Sequence, residues 1–215
     1  MSEVSEAQQR LFQVVATQLA DQGYCIIEDA LPDKLTLALY QRVTTLAAGA
    51  LKRAGIGRQR DHQLDDEYRT DKILWLDADD AAESDYLVWM EQLRHGINQQ
   101  LFMGLFDYES HFAYYAPGTF YKRHLDAFKG EANRVVTTVF YLNPEWDELD
   151  GGEIALYANE GSEQSFQSVY PHAGTLVVFL SEQLPHEVRR ALCDRYSIAG
   201  WFRIKSLGQR VDPQH

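Results

Sequence analysis

Apolar residues recur at helical spacing along residues 6–20, where Leu11, Phe12, Val15 and Leu19 fall on one face and Gly23 stands where a helix would stop. Tyr24-Cys25-Ile26-Ile27 then predicts a short buried strand. A second stripe, Leu35, Leu39, Val43, Leu46 and Leu51, predicts a helix over 34–54 behind Pro32 and Asp33. Residues 72–76 predict a further strand. Tyr86, Leu87, Met90, Leu93, Ile97 and Leu101 predict a third amphipathic helix over 83–103. After Gly104 the pattern changes to short strands at 110–115, 120–126, 134–142, 153–157, 168–170, 175–180, 185–189 and 196–205. Turn chemistry separates them, as in Ala116-Pro117-Gly118, Asn143-Pro144 and Asp150-Gly151-Gly152. The pattern predicts a mainly β chain with flanking helices, of the α+β class. We expect a jelly roll (double-stranded β-helix) over 105–205, supported by helices in 1–104 and followed by a tail at 206–215.

A length of 215 residues suits one domain with a sizeable core, and 45% apolar with 24% charged residues is ordinary for a globular chain. The net charge of −12 argues against nucleic acid or an anionic membrane as the main partner. No apolar run reaches the 18 or so residues of a membrane span. The acidic, polar start Met1-Ser2-Glu3-Val4 is wrong for a targeting peptide, so a cytoplasmic protein is expected. Cys25 and Cys193 lack metal spacing and predict two reduced, packed thiols. Residues 55–71 are polar and charged, which suits either a mobile lid or a solvated loop. His62 within that loop reads as exposed.

Candidate chemistry centres on Tyr121-Lys122-Arg123-His124-Leu125-Asp126. On a strand, residues i and i+2 share a face, so His124 and Asp126 would reach one ion together. His186 is available as a third ligand. Its rival His172 lies at a turn, His95 reads as an outer-helix residue, and His111 reads as a strand-edge residue. Glu187 would point to the opposite face from His186. Two His and one carboxylate make the facial triad of non-haem Fe(II) oxygenases, which leaves three positions open. A 2-oxo acid fills two of them and dioxygen the third, whereas zinc usually keeps one open position. Arg195, nine residues beyond His186, would then hold the far carboxylate of a diacid. A hairpin joining 186–190 to 195–203 would put it roughly 13 Å from the partner of His186, at about 3.3 Å per residue. Tyr141 could lend its hydroxyl to the same carboxylate or serve as a core residue, and Tyr115 and Trp201 stand alike.

Arg69-Thr70-Asp71-Lys72-Ile73-Leu74-Trp75, Tyr115-Ala116-Pro117-Gly118, the His124–Asp126 segment, Val139-Phe140-Tyr141-Leu142-Asn143, Gly151-Gly152, Pro185-His186-Glu187-Val188 and Arg195-Tyr196-Ser197-Ile198 occur together. Over about two thirds of its length the chain thereby resembles the 2-oxoglutarate- and Fe(II)-dependent prolyl 4-hydroxylases of the prolyl-hydroxylase-domain type. These include the animal oxygen sensors and bacterial relatives. The resemblance implies Fe(II) on His124, Asp126 and His186, with Arg195 and Tyr141 on the distal carboxylate of 2-oxoglutarate and Tyr115 lining that pocket. It places Trp201 near the site and Arg134 at the substrate mouth. Residues 55–71, with Arg58, Arg60 and Asp71, would fold over a bound substrate. Dioxygen is the second cosubstrate and ascorbate a reductant. The implied partner is a protein with an exposed proline loop, such as elongation factor Tu, met by a monomer or weak dimer. The segment after Tyr115 is shorter than in the animal enzymes, and no zinc-finger region precedes the domain. Collagen-type enzymes carry Lys in place of Arg195, and halogenating relatives lack the carboxylate of Asp126. Two other readings stay open: an oxygenase acting on a small molecule, and a non-catalytic jelly-roll module that senses iron or oxygen.

Overall fold

Two antiparallel sheets face each other, and helices cover the outer side of the larger one. The computed structural model describes residues 4–46, 49–53, 69–127 and 133–205. Helix α1 (Glu6–Gln22) begins in a capping box, in which the Ser5 hydroxyl accepts from the Gln8 N–H and the Gln8 side chain accepts from the Ser5 N–H. It ends on Gly23, whose φ of 82° closes the last turn. Strand β1 (Tyr24–Ile27), helix α2 (Asp33–Thr44), strands β2 (Lys52–Arg53) and β3 (Lys72–Trp75) and helix α3 (Ala81–Leu101) follow.

The helix predicted over 34–54 stops at Thr44. The Thr44 and Thr45 hydroxyls donate to the Tyr40 and Gln41 carbonyls at 2.8 and 2.7 Å, where they compete with continued helical bonding. Leu46 and Leu51 still pack on the core, from irregular chain rather than from a helix face. Their apolar character was set by burial, and the spacing alone suggested a helix.

The remaining strands are β4 (Asp107–Tyr115), β5 (Tyr121–His124), β6 (Arg134–Tyr141), β7 (Ile154–Leu156), β8 (Gln167–Val169), β9 (Leu176–Leu180), β10 (His186–Val188) and β11 (Arg195–Arg203). They form a jelly roll. The larger sheet runs β1-β9-β6-β11-β4-β3-β2 and the smaller one β5-β10-β7-β8. Alternation divides each central strand between two cores. Val136 and Phe140 of β6 join Ile198 and Phe202 of β11 beneath Phe12, Leu19, Tyr86 and Leu93 of the helices. Val139 and Tyr141 face the other way, against Ile154, Leu156 and Phe179 between the sheets.

The expected hairpin between β10 and β11 does not form. Strand β10 pairs with β5 and β7 in the smaller sheet, whereas β11 lies between β4 and β6 in the larger one. From β4 onwards the chain alternates between the sheets except at the β7–β8 pair, as roll closure demands. Cys25 is buried as expected, but Cys193, in the connection between those two strands, is exposed; both thiols are free. Among the described residues no helix is long and apolar enough to cross a membrane.

Candidate metal centre

His124 ends β5 and His186 opens β10, and the two are direct cross-strand partners with ring centroids 4.3 Å apart. Strand β5 stops at His124, so Asp126 is not brought to the same face by strand alternation as the spacing suggested. A bend carries its carboxylate back instead. Oδ1 lies 3.4 Å from His124 Nε2 and Oδ2 lies 3.6 Å from His186 Nε2. The three ligand atoms fall within 4.8 Å of one another, a group that could hold one metal ion.

Both imidazoles are oriented by backbone. His124 Nδ1 lies 2.8 Å from the Lys122 carbonyl, and His186 Nδ1 lies 3.1 Å from that of Leu184. A carbonyl only accepts, so each Nδ1 donates there and each Nε2 faces Asp126. Tyr121 stacks on the His124 ring at 3.7 Å, and the Arg69 guanidinium lies 4.6 Å from the Tyr121 centroid. Arg69 grips the buried Asp71 carboxylate through two bonds of 2.6 and 2.9 Å. Burial, reinforced by His124, lowers the His186 pKa to about 4 and keeps that ring neutral. Burial opposes ionisation of Asp126, yet His186, His124 and the Thr137 hydroxyl hold its carboxyl well below the usual range. Two imidazoles and one carboxylate fit an ion such as Fe(II).

A second polar cluster lies at the start of β11. Arg195 stands opposite Tyr115 and is 1% exposed. Its Nε donates to the Gly152 carbonyl at 2.7 Å and its Nη1 to the Ser197 hydroxyl at 3.2 Å. The guanidinium carbon sits 4.8 Å from the Tyr115 ring and 5.0 Å from the Tyr141 ring. Arg195 Nη2 and the Tyr141 hydroxyl are buried without a hydrogen-bond partner. A charged donor and a phenol left unpaired in one pocket match an incoming carboxylate. Burial pushes the Tyr141 hydroxyl up to about 12 against the pull of Arg195, so it remains a donor at neutral pH. Burial raises the Tyr115 hydroxyl as well. Gly152 (φ 68°) allows the close approach of this wall, since a Cβ there would meet Arg195 Cδ, Ala191 Cβ and the Trp146 ring at 3.1 Å each.

Strand β6 links the two clusters. Thr137 touches Asp126, and Tyr141 lies four residues further on the same face, about 13 Å at ~3.3 Å per residue. The span inferred from a hairpin is therefore supplied by a different strand.

Of the other residues singled out, Arg134 lies over the Trp201 ring at 3.6 Å and bonds Glu109 at 2.8 Å. Asp71 is engaged by Arg69, while Arg58, Arg60, His62 and most of the 55–71 loop lie outside the described residues. His95 pairs with Glu91 on the helix surface. His172 forms a bridge to Asn143. His111 is not at a strand edge: β4 has neighbours on both sides, and its ring is buried against Trp75 and Trp201. Sequence reasoning missed Thr137, Ser181, Ser197 and Arg69. The alternation of β6, which turns Thr137 towards the site together with Tyr141, carried a signal for that residue, and Arg69 and Ser197 lie inside the segments that carry the resemblance.

Residues 110–203 match the model of the 2OG-Fe(II) oxygenase superfamily. Human Egl nine homolog 1 is 30% identical over 190 residues, covering 84% of this chain and 43% of that protein, so the chain spans under half of its length. A crystal structure of a Pseudomonas putida prolyl-4-hydroxylase is 41% identical with a TM-score of 0.80, covering 91% of this chain and 100% of that one. A Trichoplax adhaerens prolyl hydroxylase, solved with a hypoxia-inducible-factor oxygen-degradation-domain peptide fragment, is 28% identical with a TM-score of 0.77, covering 92% of this chain and 91% of that one.

Proposed function

Since the chain belongs to the 2OG-Fe(II) oxygenase superfamily and is homologous to prolyl hydroxylases, we propose that it hydroxylates C4 of a proline in a protein substrate. The reaction consumes 2-oxoglutarate and dioxygen and releases succinate and carbon dioxide. His124, Asp126 and His186 hold Fe(II). When bound, the metal and its cosubstrates supply the oxidation, and the chain supplies placement. Arg195 and the Tyr141 hydroxyl take the distal carboxylate of 2-oxoglutarate, with Tyr115 as a wall of that pocket. The ring faces of Tyr115 and Tyr141 keep the guanidinium dry, which strengthens its hold on an anion. Towards the other end of β11, Trp201 and Arg134 form the side that meets the substrate, and Asp71 shapes the rim through Arg69. Arg58 and Arg60 would join them from the 55–71 loop.

The observation that carries this reading is the pair of unsatisfied buried donors, Arg195 Nη2 and Tyr141 hydroxyl, on the same barrel interior as the three converging ligands. Neither a structural ion pair nor an apolar core accounts for them. The substrate is placed among proteins that expose a proline loop, with elongation factor Tu as one candidate. Incubation of such a protein with Fe(II) and 2-oxoglutarate should add one oxygen atom to one proline, detected by mass spectrometry, and should release succinate in step. His124→Ala should abolish both. Absence of any turnover that depends on the three ligands would refute the enzyme reading.

A further inference from the structure

Besides the two imidazoles, a relay of two hydroxyls from the larger sheet reaches the Asp126 carboxylate. The Thr137 hydroxyl donates to Asp126 Oδ2 at 2.7 Å and lies 2.9 Å from the Ser181 hydroxyl. A carboxylate can only accept, so the single Thr137 hydroxyl proton is committed to Asp126. Ser181 must then donate to the Thr137 oxygen. The bonds therefore run in one direction, Ser181 to Thr137 to Asp126, and each polarises the next.

The placement of these groups is not local. Thr137 sits in β6 between Phe179 of β9 and Trp201 of β11. Ser181 follows β9 directly, its N–H bonded to the Val135 carbonyl at 3.0 Å. Asp126 follows β5, in the smaller sheet. Thr137 is 2% exposed and Ser181 0%. Val has nearly the shape of Thr and suits a strand that already contains Val135, Val136 and Val139. Burying two hydroxyls there costs desolvation that an apolar pair would avoid. Packing gives no reason for them, whereas the carboxylate does.

We propose that Thr137 and Ser181 are positioning residues that hold Asp126 as a ligand through one oxygen only. By engaging Oδ2, the hydroxyl chain stops the carboxylate from turning both oxygens to the ion. A two-oxygen grip would occupy one of the three positions that 2-oxoglutarate and dioxygen need. The inference rests on the reading of the site as a metal centre, and Co(II) titration of the full chain, followed by visible absorption, tests the two separately. Thr137→Val should weaken Co(II) binding about 10- to 100-fold and alter the ligand-field band, because partners outside the ligand shell tune affinity by that much. Thr137→Ser, which keeps the hydroxyl, should restore both, and Ser181→Ala should shift both in the direction of Thr137→Val by less. Asp126→Ala should abolish binding; native affinity in that variant would refute the centre and the proposal together. Loss of binding in Asp126→Ala, with native affinity and band in Thr137→Val, leaves the centre standing and overturns the proposal. Should Thr137→Val fail to fold, native affinity and band in Ser181→Ala overturn it equally.

Discussion

Replacing Arg195 by Met separates what this side chain does for the fold from what it does for the cosubstrate. The guanidinium is 1% exposed, and among the described residues no carboxylate lies within ion-pairing distance of it. Met fills similar space but leaves the Gly152 carbonyl and the Ser197 hydroxyl without their donor. An acceptor stripped in this way costs about 1–3 kcal/mol. Against that, a lone buried cation disappears, whose desolvation is worth several kcal/mol. The terms oppose each other, so the ligand-free variant should keep its stability to within about 2 kcal/mol. Binding has no such offset. Removing one partner of a buried charged pair costs about 2–5 kcal/mol, which is roughly 30- to 5,000-fold in affinity. Calorimetric titration of 2-oxoglutarate into Mn(II)-loaded protein measures the second quantity, and a urea midpoint without ligand measures the first. At a 2-oxoglutarate concentration 100 times its Kd the native chain gains about 2.7 kcal/mol of stability, and the variant should gain about 0.9 kcal/mol or less at that concentration. An affinity in Arg195→Met within roughly threefold of native would refute the assignment of the carboxylate pocket.

Two further outcomes follow from residues outside that pocket. Burial first, and then the charge of Arg69, lowers the His111 pKa to about 4. Between about pH 6.5 and pH 4 the unfolded chain therefore binds a proton that the folded chain refuses. Stability is full above this window and is lost as pH falls through it, by about 3 kcal/mol for this residue. His111→Gln should flatten the dependence of the urea midpoint on pH by about one proton, with the remaining slope owed partly to His186, and parallel profiles would count against a neutral buried ring. On the helix side of β11, a Cβ at Gly200 would collide with the Tyr108 hydroxyl, which bonds the Tyr86 hydroxyl at 3.1 Å and that of Thr138 at 2.8 Å. Gly200→Ala should lose about 1–3 kcal/mol, or roughly 3–10 °C in melting temperature by scanning calorimetry, with Co(II) affinity unchanged. An unaltered melting temperature would show that Tyr108 yields without penalty.

Much of this molecule can be read from the order of its residues. Helical and strand periodicities report which face of each segment is apolar, and that is a local property. So the three helices, the eight strands after Gly104 and the interior direction of Tyr141 were legible. The convergence of His124, Asp126 and His186 was legible as well, because few combinations of side chains that can bind a metal recur by chance. What periodicity does not encode is which strand lies beside which. The separation of β10 from β11 into different sheets and the burial of His111 between β3 and β11 both depend on how the roll closes. The same holds for Asp126, which meets the two imidazoles by a bend, with Thr137 bonded to it, rather than by the alternation its spacing suggested. A hydroxyl or a glycine has no role until something stands opposite it. Only the tertiary structure put Asp126 opposite Thr137 and Arg195 against Gly152, because those contacts join segments of different strands and sheets, whose placement periodicity does not encode.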